Sequence, residues 1–476
     1  MKGAGVVVSA IVDGVTRGVE TVGHVVTGGF MDARIRLGVT GLSRAGKTVF
    51  ITSLVANLMD RARMGGLRAA ADGAIKAAYL QPQPDDTVPR FAYEDHLAAM
   101  VGPEPHWPES TRAVSELRLS LKVQPGGLLG GLRGPQVVHL DIVDYPGEWL
   151  LDLGLLDMSY DTWAAQALEK ARARAEGAGF IAALEAVDGA AKLEEPVAKR
   201  LSESFADYLK AAREAGYSDC TPGRFLLPGE LEGSPALTFA PLPAGEGPRG
   251  SLRRELARRF EAYKRAVVKP FFRDHFAEID RQVVLVDVLG AIHAGPKALE
   301  DLRQAMADIL GAFKPGRNGW LTRLLGGHRV EKILFAATKA DHLHHKQHGA
   351  LTAITEALVR EAKDRADFAG ARTAAMSIAA LRATTEETRS HEGREIDLVR
   401  GRLMETGRHA AMYPGALPED PGRLLGAARG GREAWLDGDY AVMKFAPAQV
   451  SLSPGEGPPH IRLDRAAEFL IGDRLK

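Results

Sequence analysis

The chain has 476 residues, more than one compact core of ordinary size holds, so two or three domains, or one domain with large insertions, are expected. Its hydrophobic share, 45%, is that of a globular protein, and 61 Lys plus Arg balance 61 Asp plus Glu, so no global field draws it to nucleic acid or an anionic bilayer. The single cysteine, Cys220, excludes an internal disulfide and a cysteine-built zinc site and fits a reducing cytoplasm.

Within residues 1–30, Val8, Ile11, Val15, Val19, Val22 and Val26 recur at helical spacing and predict an amphipathic helix packed on the main domain. Asp13, Arg17 and Glu20 interrupt the apolar run, which excludes a secretory signal. No run of about 18 apolar residues occurs, which argues against a membrane span. A membrane-surface or partner-binding role for this helix stays open, weakened by the scarcity of Lys and Arg on its polar face.

Arg34 to Val39 is a predicted strand running into GLSRAGKT, and Lys47 to Asp60 is a predicted helix. Strand, glycine loop and helix are the context that G-x-x-x-x-G-K-[ST] requires. Gly41 and Gly46 let the backbone wrap a polyphosphate, with Ser43, Arg44, Ala45 and Val49 completing the cradle. Lys47 would reach the β- and γ-phosphates, and Thr48 would ligate Mg²⁺. Residues 62–105 are Ala-rich with a Pro-rich middle and predict helical pieces in an insertion. A switch threonine belongs between this loop and the next strands. Thr111 of WPESTR is the best placed, as a catalytic and Mg²⁺-sensing residue, with Ser110 the runner-up and a helix N-cap the plain alternative.

SELRLSLKV alternates Leu117, Leu119, Leu121 and Val123 with Arg118, Ser120 and Lys122, which predicts an antiparallel edge strand with one wet face. VVHLDIVD (137–144) predicts a drier, antiparallel neighbour. It ends in Asp144-Tyr145-Pro146-Gly147, where Asp144 can hold Mg²⁺ through water and the Gly147 N–H can face a γ-phosphate. Glu148 stands where a water-positioning residue is expected. Its charge sits badly beside a γ-phosphate, so slow turnover or another destination for Glu148 is expected. Arg44 offers cationic charge near the β–γ bridge, and a solvated or acid-paired arginine is the alternative.

Residues 151–280 read as a helical insertion, with loop over 217–250 and a kink at Pro270. The α/β alternation resumes in 281–384, with strands at 283–288, 332–338 and 372–378 and helices at 297–312 and 348–367. Thr338-Lys339-Ala340-Asp341 ends the second of these strands. An Asp carboxylate accepts from guanine N1–H and N2–H₂, and adenine has no such donor pair, so the motif order selects GTP/GDP over ATP. Ser377 and Ile378 lie where a last backbone contact to guanine would come, and a plain strand end is as good a reading. His344 and His348 lie one helical turn apart in DHLHHKQH, which reads as a surface histidine run without the remaining ligands of a zinc motif. Residues 385–476 are a C-terminal extension or small domain closing in a helix.

These elements predict an α/β P-loop fold with a mixed six-stranded sheet, five strands parallel and one an antiparallel edge, with residues 31–150 as its first part. GLSRAGKTVFITSLVANL, WPESTR, DYPGEWLLDL, AATKADHLHHKQH and IRLDRAAEFLIGDRL together resemble the YcjX-type bacterial P-loop GTPases over roughly residues 30–476. The resemblance implies a Ras-like nucleotide domain with helical insertions, in cytoplasmic, stress-associated proteins. It supports Gly46, Lys47 and Thr48 at phosphate and Mg²⁺, Asp144 and Gly147 on the γ side, and Lys339 and Asp341 at guanine. The reading is a Mg²⁺-dependent, GTP-hydrolysing switch that acts on a protein effector the sequence does not name. No nucleic-acid partner is expected, and a peripheral membrane contact would use residues 1–30. An ATPase and a non-hydrolysing partner-binding module are the alternatives.

Overall fold

A computed structural model describes residues 33–42, 45–109, 113–126, 134–273, 278–311, 330–368, 370–430 and 443–476. The expected helix at 1–30, and Ser43, Arg44, Ser110 and Thr111, lie outside the described residues.

Seven strands form the main sheet: β1 (Ala33–Gly41), β2 (Ile75–Gln81), β3 (Ser115–Val123), β4 (Gln136–Asp144), β5 (Arg281–Val286), β6 (Lys332–Ala337) and β7 (Arg372–Ser377). Their order is β2-β3-β4-β1-β5-β6-β7. The run β4-β1-β5-β6-β7 is parallel, as the βα alternation demands, and β3 is antiparallel to β4. The expected edge position of β3 is corrected, because β2 pairs antiparallel with its outer side. The Ala-rich IKAAYLQ thus forms a strand where helical pieces were expected, so tertiary pairing overrides local propensity.

The polar alternation of β3 has a different cause from an edge facing water. Arg118 donates from Nε to Asp141 Oδ1 at 2.6 Å, and Arg34 of β1 donates from Nε to Oδ2 of the same carboxylate at 2.6 Å. Arg36 pairs with Glu116 and Glu278, while Ser120 bonds Gln81 and His139. One face of β1, β3 and β4 is therefore a charge ladder. Burial alone would raise the Asp141 pKa, but the hydrogen bonds and charges of Arg118 and Arg34 outweigh it and hold the carboxyl below its ordinary value.

The opposite face is apolar. Ile35, Leu37, Val39, Leu119, Leu140 and Leu285 pack under Phe50, Ile51, Leu54 and Leu58 of the helix Lys47–Met59. Leu463, Ala466, Ala467 and Leu470 of the C-terminal helix Leu463–Ile471 enter the same cluster. That helix is a core element, and its neighbour Asp473 is fastened to Lys332 and Arg281.

On the other side of the sheet, Val284, Val286, Ile333 and Phe335 share one buried cluster with the helical residues that follow β4. Its far end is aromatic: Trp163 stacks on Phe260 with centroids 4.8 Å apart and meets Phe205 and Phe239 edge-on. A π-helical turn, Lys264–Val268, lies just ahead of Pro270, where a kink was expected. A second, three-stranded antiparallel sheet, β8 (Thr384–His391), β9 (Arg394–Arg402) and β10 (His409–Met412), was not foreseen from sequence. Its exposed, charged residues hide the alternation that marks a strand.

Asp141→Ala leaves Arg34 and Arg118 without their shared acceptor and should destabilise the fold by about 3 kcal/mol. Urea denaturation at neutral pH checks this, and a change within error would assign the ladder no stabilising role.

Candidate functional site

The carboxyl ends of the parallel strands β4, β1, β5, β6 and β7 open on one edge of the sheet. The chain reverses its order of build-up at β1, and such an edge is where ligands of open α/β sheets bind. Every described sequence-predicted site residue emerges there.

Gly41 closes β1, and a Cβ on it would stand 2.9 Å from both the Cβ and the carbonyl oxygen of Leu285. The loop then turns with Ala45 N–H donating to Leu42 O at 3.1 Å, and Leu42 and Ala45 are buried. Gly46 adopts φ 81°, ψ 32°, a left-handed conformation that a side chain would strain, and begins the helix Lys47–Met59. Among the described residues no side chain caps that helix, and its first turn holds no acid, so its positive end suits an anion. Lys47 and Val49 are half-buried at this end, and Thr48 is buried.

Asp144 lies opposite Val39 in the β1–β4 register and is 1% exposed. Its neighbour Tyr145 donates from N to Val39 O at 3.3 Å, which holds the turn against β1. Gly147 makes a close backbone approach: a Cβ there would fall 2.4 Å from Gly41 O and 2.9 Å from Leu42 N. The two expected glycine motifs are therefore in backbone contact. Thr48 and Asp144 offer only oxygens, the donor chemistry of a hard dication such as Mg²⁺.

Glu148, where a water-positioning residue was expected, is 3% exposed and paired, its Oε1 lying 3.2 Å from Arg213 Nη2. Arg213 belongs to the helix Glu195–Glu214, so the residue after the glycine turn is tied to the helical insertion. The same insertion presses on this segment again. A Cβ on Gly223 would lie 2.3 Å from Glu148 O, and the Arg224 guanidinium stacks 3.2 Å over Trp149. Asp152 accepts from Gly223 N–H at 2.8 Å and from the Tyr263 hydroxyl.

On the other flank, Thr338 N–H donates to Val286 O at 3.0 Å, and Lys339 takes the left-handed φ of 60°. A non-glycine residue there is strained and points to a functional demand. Lys339 Nζ pairs with Asp287, which also caps the helix Val288–Ala294. Asp341 is 4% exposed and accepts from Ala383 N–H at 2.9 Å, while Thr384 donates to its carbonyl. Ala340 N–H donates to Ile378 O at 3.0 Å.

Ser377 and Ile378, where a last backbone contact to a base was expected, sit beside this loop, and their donors have partners within the protein. Ser377 N–H bonds Thr352 Oγ1 at 3.1 Å, and its hydroxyl donates to His348 O at 3.0 Å and accepts from Arg462 at 2.7 Å. Ile378 N–H bonds Ala337 O at 2.7 Å. Asp287, Arg213, Ala383 and Arg462 were missed. Each joins the site from a remote segment and carries no local signal, although Asp287 ends a predicted strand.

Burial raises the Asp152 pKa from 3.8 to about 7, against the opposing hydrogen bonds of Tyr263 and Gly223. A carboxyl raised on folding contributes stability that is full below its unfolded pKa and lost as pH rises through the folded one. The parent should therefore lose stability relative to Asp152→Asn between pH 4 and pH 7, and thermal melts of both across that window check it. Parallel curves would remove the assignment.

A model of the YcjX-like family, DUF463, matches residues 35–475. The protein named Ras-like GTPase YcjX of Escherichia coli (strain K12) is 36% identical over 461 residues, covering 94% of this chain and 97% of that protein. Its namesake in Shewanella oneidensis is 34% identical over 472 residues, covering 94% of this chain and 95% of that protein. The match spans both halves of the strand-end cleft and the helical residues between them, as the motif resemblance implied. This chain belongs to the YcjX-like family.

Proposed function

We propose that this protein is a Mg²⁺-dependent GTPase that binds GTP and GDP in the strand-end cleft and acts as a slow conformational switch. One observation carries the reading: the uncapped helix start at Gly46–Thr48, the Asp144–Gly147 turn and the Thr338–Asp341 loop leave one edge of one sheet. Both curated relatives bear the name Ras-like GTPase, which supports it.

In this reading Gly41, Ser43, Arg44, Ala45, Gly46, Lys47, Thr48 and Val49 enclose the phosphates with backbone N–H groups and the lysine charge. Thr48, Thr111 and, through water, Asp144 would hold Mg²⁺, which when bound neutralises phosphate charge. Gly147 N–H faces the γ-phosphate and reports its presence. Asp341 accepts from the two guanine donors, and the Lys339 stem lies along the purine. Ser377 and Ile378 brace that loop from behind.

Glu148, held by Arg213, couples the glycine turn to the helical insertion. Arg44 then supplies the positive charge that stabilises the transition state. The switch would work in the cytoplasm during stress, with residues 1–30 meeting a protein or the inner membrane face. The Glu148–Arg213 pair also favours a second reading, a nucleotide-binding module without hydrolysis. Phosphate release followed for a day separates the two.

A fluorescent GDP analogue should be displaced by GTP and not by ATP, and Lys47→Ala should abolish its binding. Asp341→Asn exchanges one acceptor for a donor, so guanine affinity should fall by roughly 10²-fold or more while a xanthine nucleotide binds better. Equal displacement by ATP refutes the guanine assignment. Arg44→Ala should slow single-turnover GTP hydrolysis by roughly 10³-fold at unchanged affinity. An unchanged rate removes Arg44 from catalysis.

A further inference from the structure

Outside the cleft, the described residues bring together His344, His345 and Glu386, whose ligand atoms all lie within 4.8 Å of one another. Asp397 joins them. His344 and His345 follow the Thr338–Asp341 loop, Glu386 lies on β8 and Asp397 on β9. The register pairs Glu386 with Val399 and Thr388 with Asp397, so the two carboxylates are diagonal neighbours on one face of the small sheet. That face meets the histidines. His344 Nε2 is 3.7 Å from Glu386 Oε2 and 3.8 Å from Asp397 Oδ1, and His345 Nδ1 is 2.5 Å from that same Glu386 oxygen.

From this geometry we propose that His344, His345, Glu386 and Asp397 form a binding site for a Zn²⁺-class transition-metal dication. With bonds of about 2.0–2.1 Å, the ligand atoms of a tetrahedral zinc site stand roughly 3.4 Å apart. Both His344 separations exceed that by only a few tenths of an ångström. His345 exchanges its hydrogen bond to Glu386 for the metal, and its side chain, 63% exposed, is free to turn. Two imidazoles select against Mg²⁺ and Ca²⁺, and two carboxylates balance the dication's charge.

The groups that metal binding displaces are weakly held. Lys346 Nζ, which lies 2.9 Å from Asp397 Oδ2, has a mostly exposed side chain and swings to water. Coordination through His344 Nε2 places the ring proton on Nδ1 and gives up a contact of 3.5 Å from Lys346 N–H. Arg382 lies 3.4 Å from the other Glu386 oxygen, and Thr388 donates at 2.9 Å to Asp397 Oδ1, the oxygen nearer His344; both orient the carboxylates. His348 takes no part, because its Nε2 is bonded inward to Ala340 O and Leu343 O at 2.8 and 3.2 Å.

The metal would join two segments that already meet at Asp341, since Ala383 N–H and the Thr384 hydroxyl reach that residue from the start of β8. It would clamp the loop carrying Asp341 to the small sheet. An effect on guanine affinity rests on the proposed function; metal binding does not.

The test uses the untagged, nucleotide-free full chain, titrated with Zn²⁺ against a chromophoric chelator and with Co²⁺ by visible absorption. One equivalent should bind, Co²⁺ should give tetrahedral ligand-field bands, and melting should shift upward with Zn²⁺. His345→Ala, at an exposed position, and Glu386→Gln, at a partly buried one, should each weaken binding at least about tenfold and abolish the melting shift. Absence of stoichiometric binding in the parent, or equal affinity in both variants, overturns the site. Absence of guanine binding in the parent, with metal binding intact, would sink the proposed function and leave this site standing.

Discussion

The backbone contact between Gly147 and Gly41 is the constraint on which the cleft depends. No side-chain atom fits between them, since a Cβ on Gly147 would lie 2.4 Å from the Gly41 carbonyl oxygen. That approach sets the Asp144 turn directly against the loop at the end of β1. Neither glycine can move toward the other without displacing it, because packed backbone is not compressible. The parallel register of β1 with β4, which puts Val39 opposite Asp144, delivers the two glycines to this meeting.

The helical insertion takes hold of the same turn from outside. Arg213 pairs with Glu148, Gly223 lies against the Glu148 carbonyl, and Asp152 receives Gly223 N–H and the Tyr263 hydroxyl. These contacts come from three different insertion segments. The insertion also shares its buried core with β5 and β6, so a displacement of the short helix Gly147–Leu151 has a packed route into it. On the far flank the loop holding Asp341 is equally supported, by Asp287, Ala383 and Ile378. The turn after β4 and the loop after β6 are thus both fastened on their outer sides to remote segments.

The outer strands show what alternation in a sequence does and does not mean. In β3, polar residues at every second position were read as facing water, yet Arg118 and Ser120 face a ladder of Asp141, His139 and Gln81. Alternation reports that two faces differ; it does not report that the polar one is wet. The Ala-rich β2 was misread for the complementary reason, since an edge strand answers to the partner that needs covering more than to its own propensity. The histidine run teaches the same lesson. Helical spacing couples His344 with His348, but the fold turns His348 inward and joins His344 to carboxylates on β8 and β9.

The sequence alone determined the parallel core, the order of the three loop motifs along it and the places of Gly41, Gly46, Asp144, Gly147 and Asp341. Each of these is written within a strand, its turn and the helix or turn that follows, where spacing and residue type act over a few positions. Only the tertiary structure decided that β3 is internal, that Glu148 belongs to Arg213, that Lys339 belongs to Asp287, and that Ser377 is spent on Arg462. Those pairings join residues far apart in the chain, such as the 52 positions between Asp287 and Lys339. Strand register and helix packing bring such partners together, and neither leaves a local pattern at the residues it pairs.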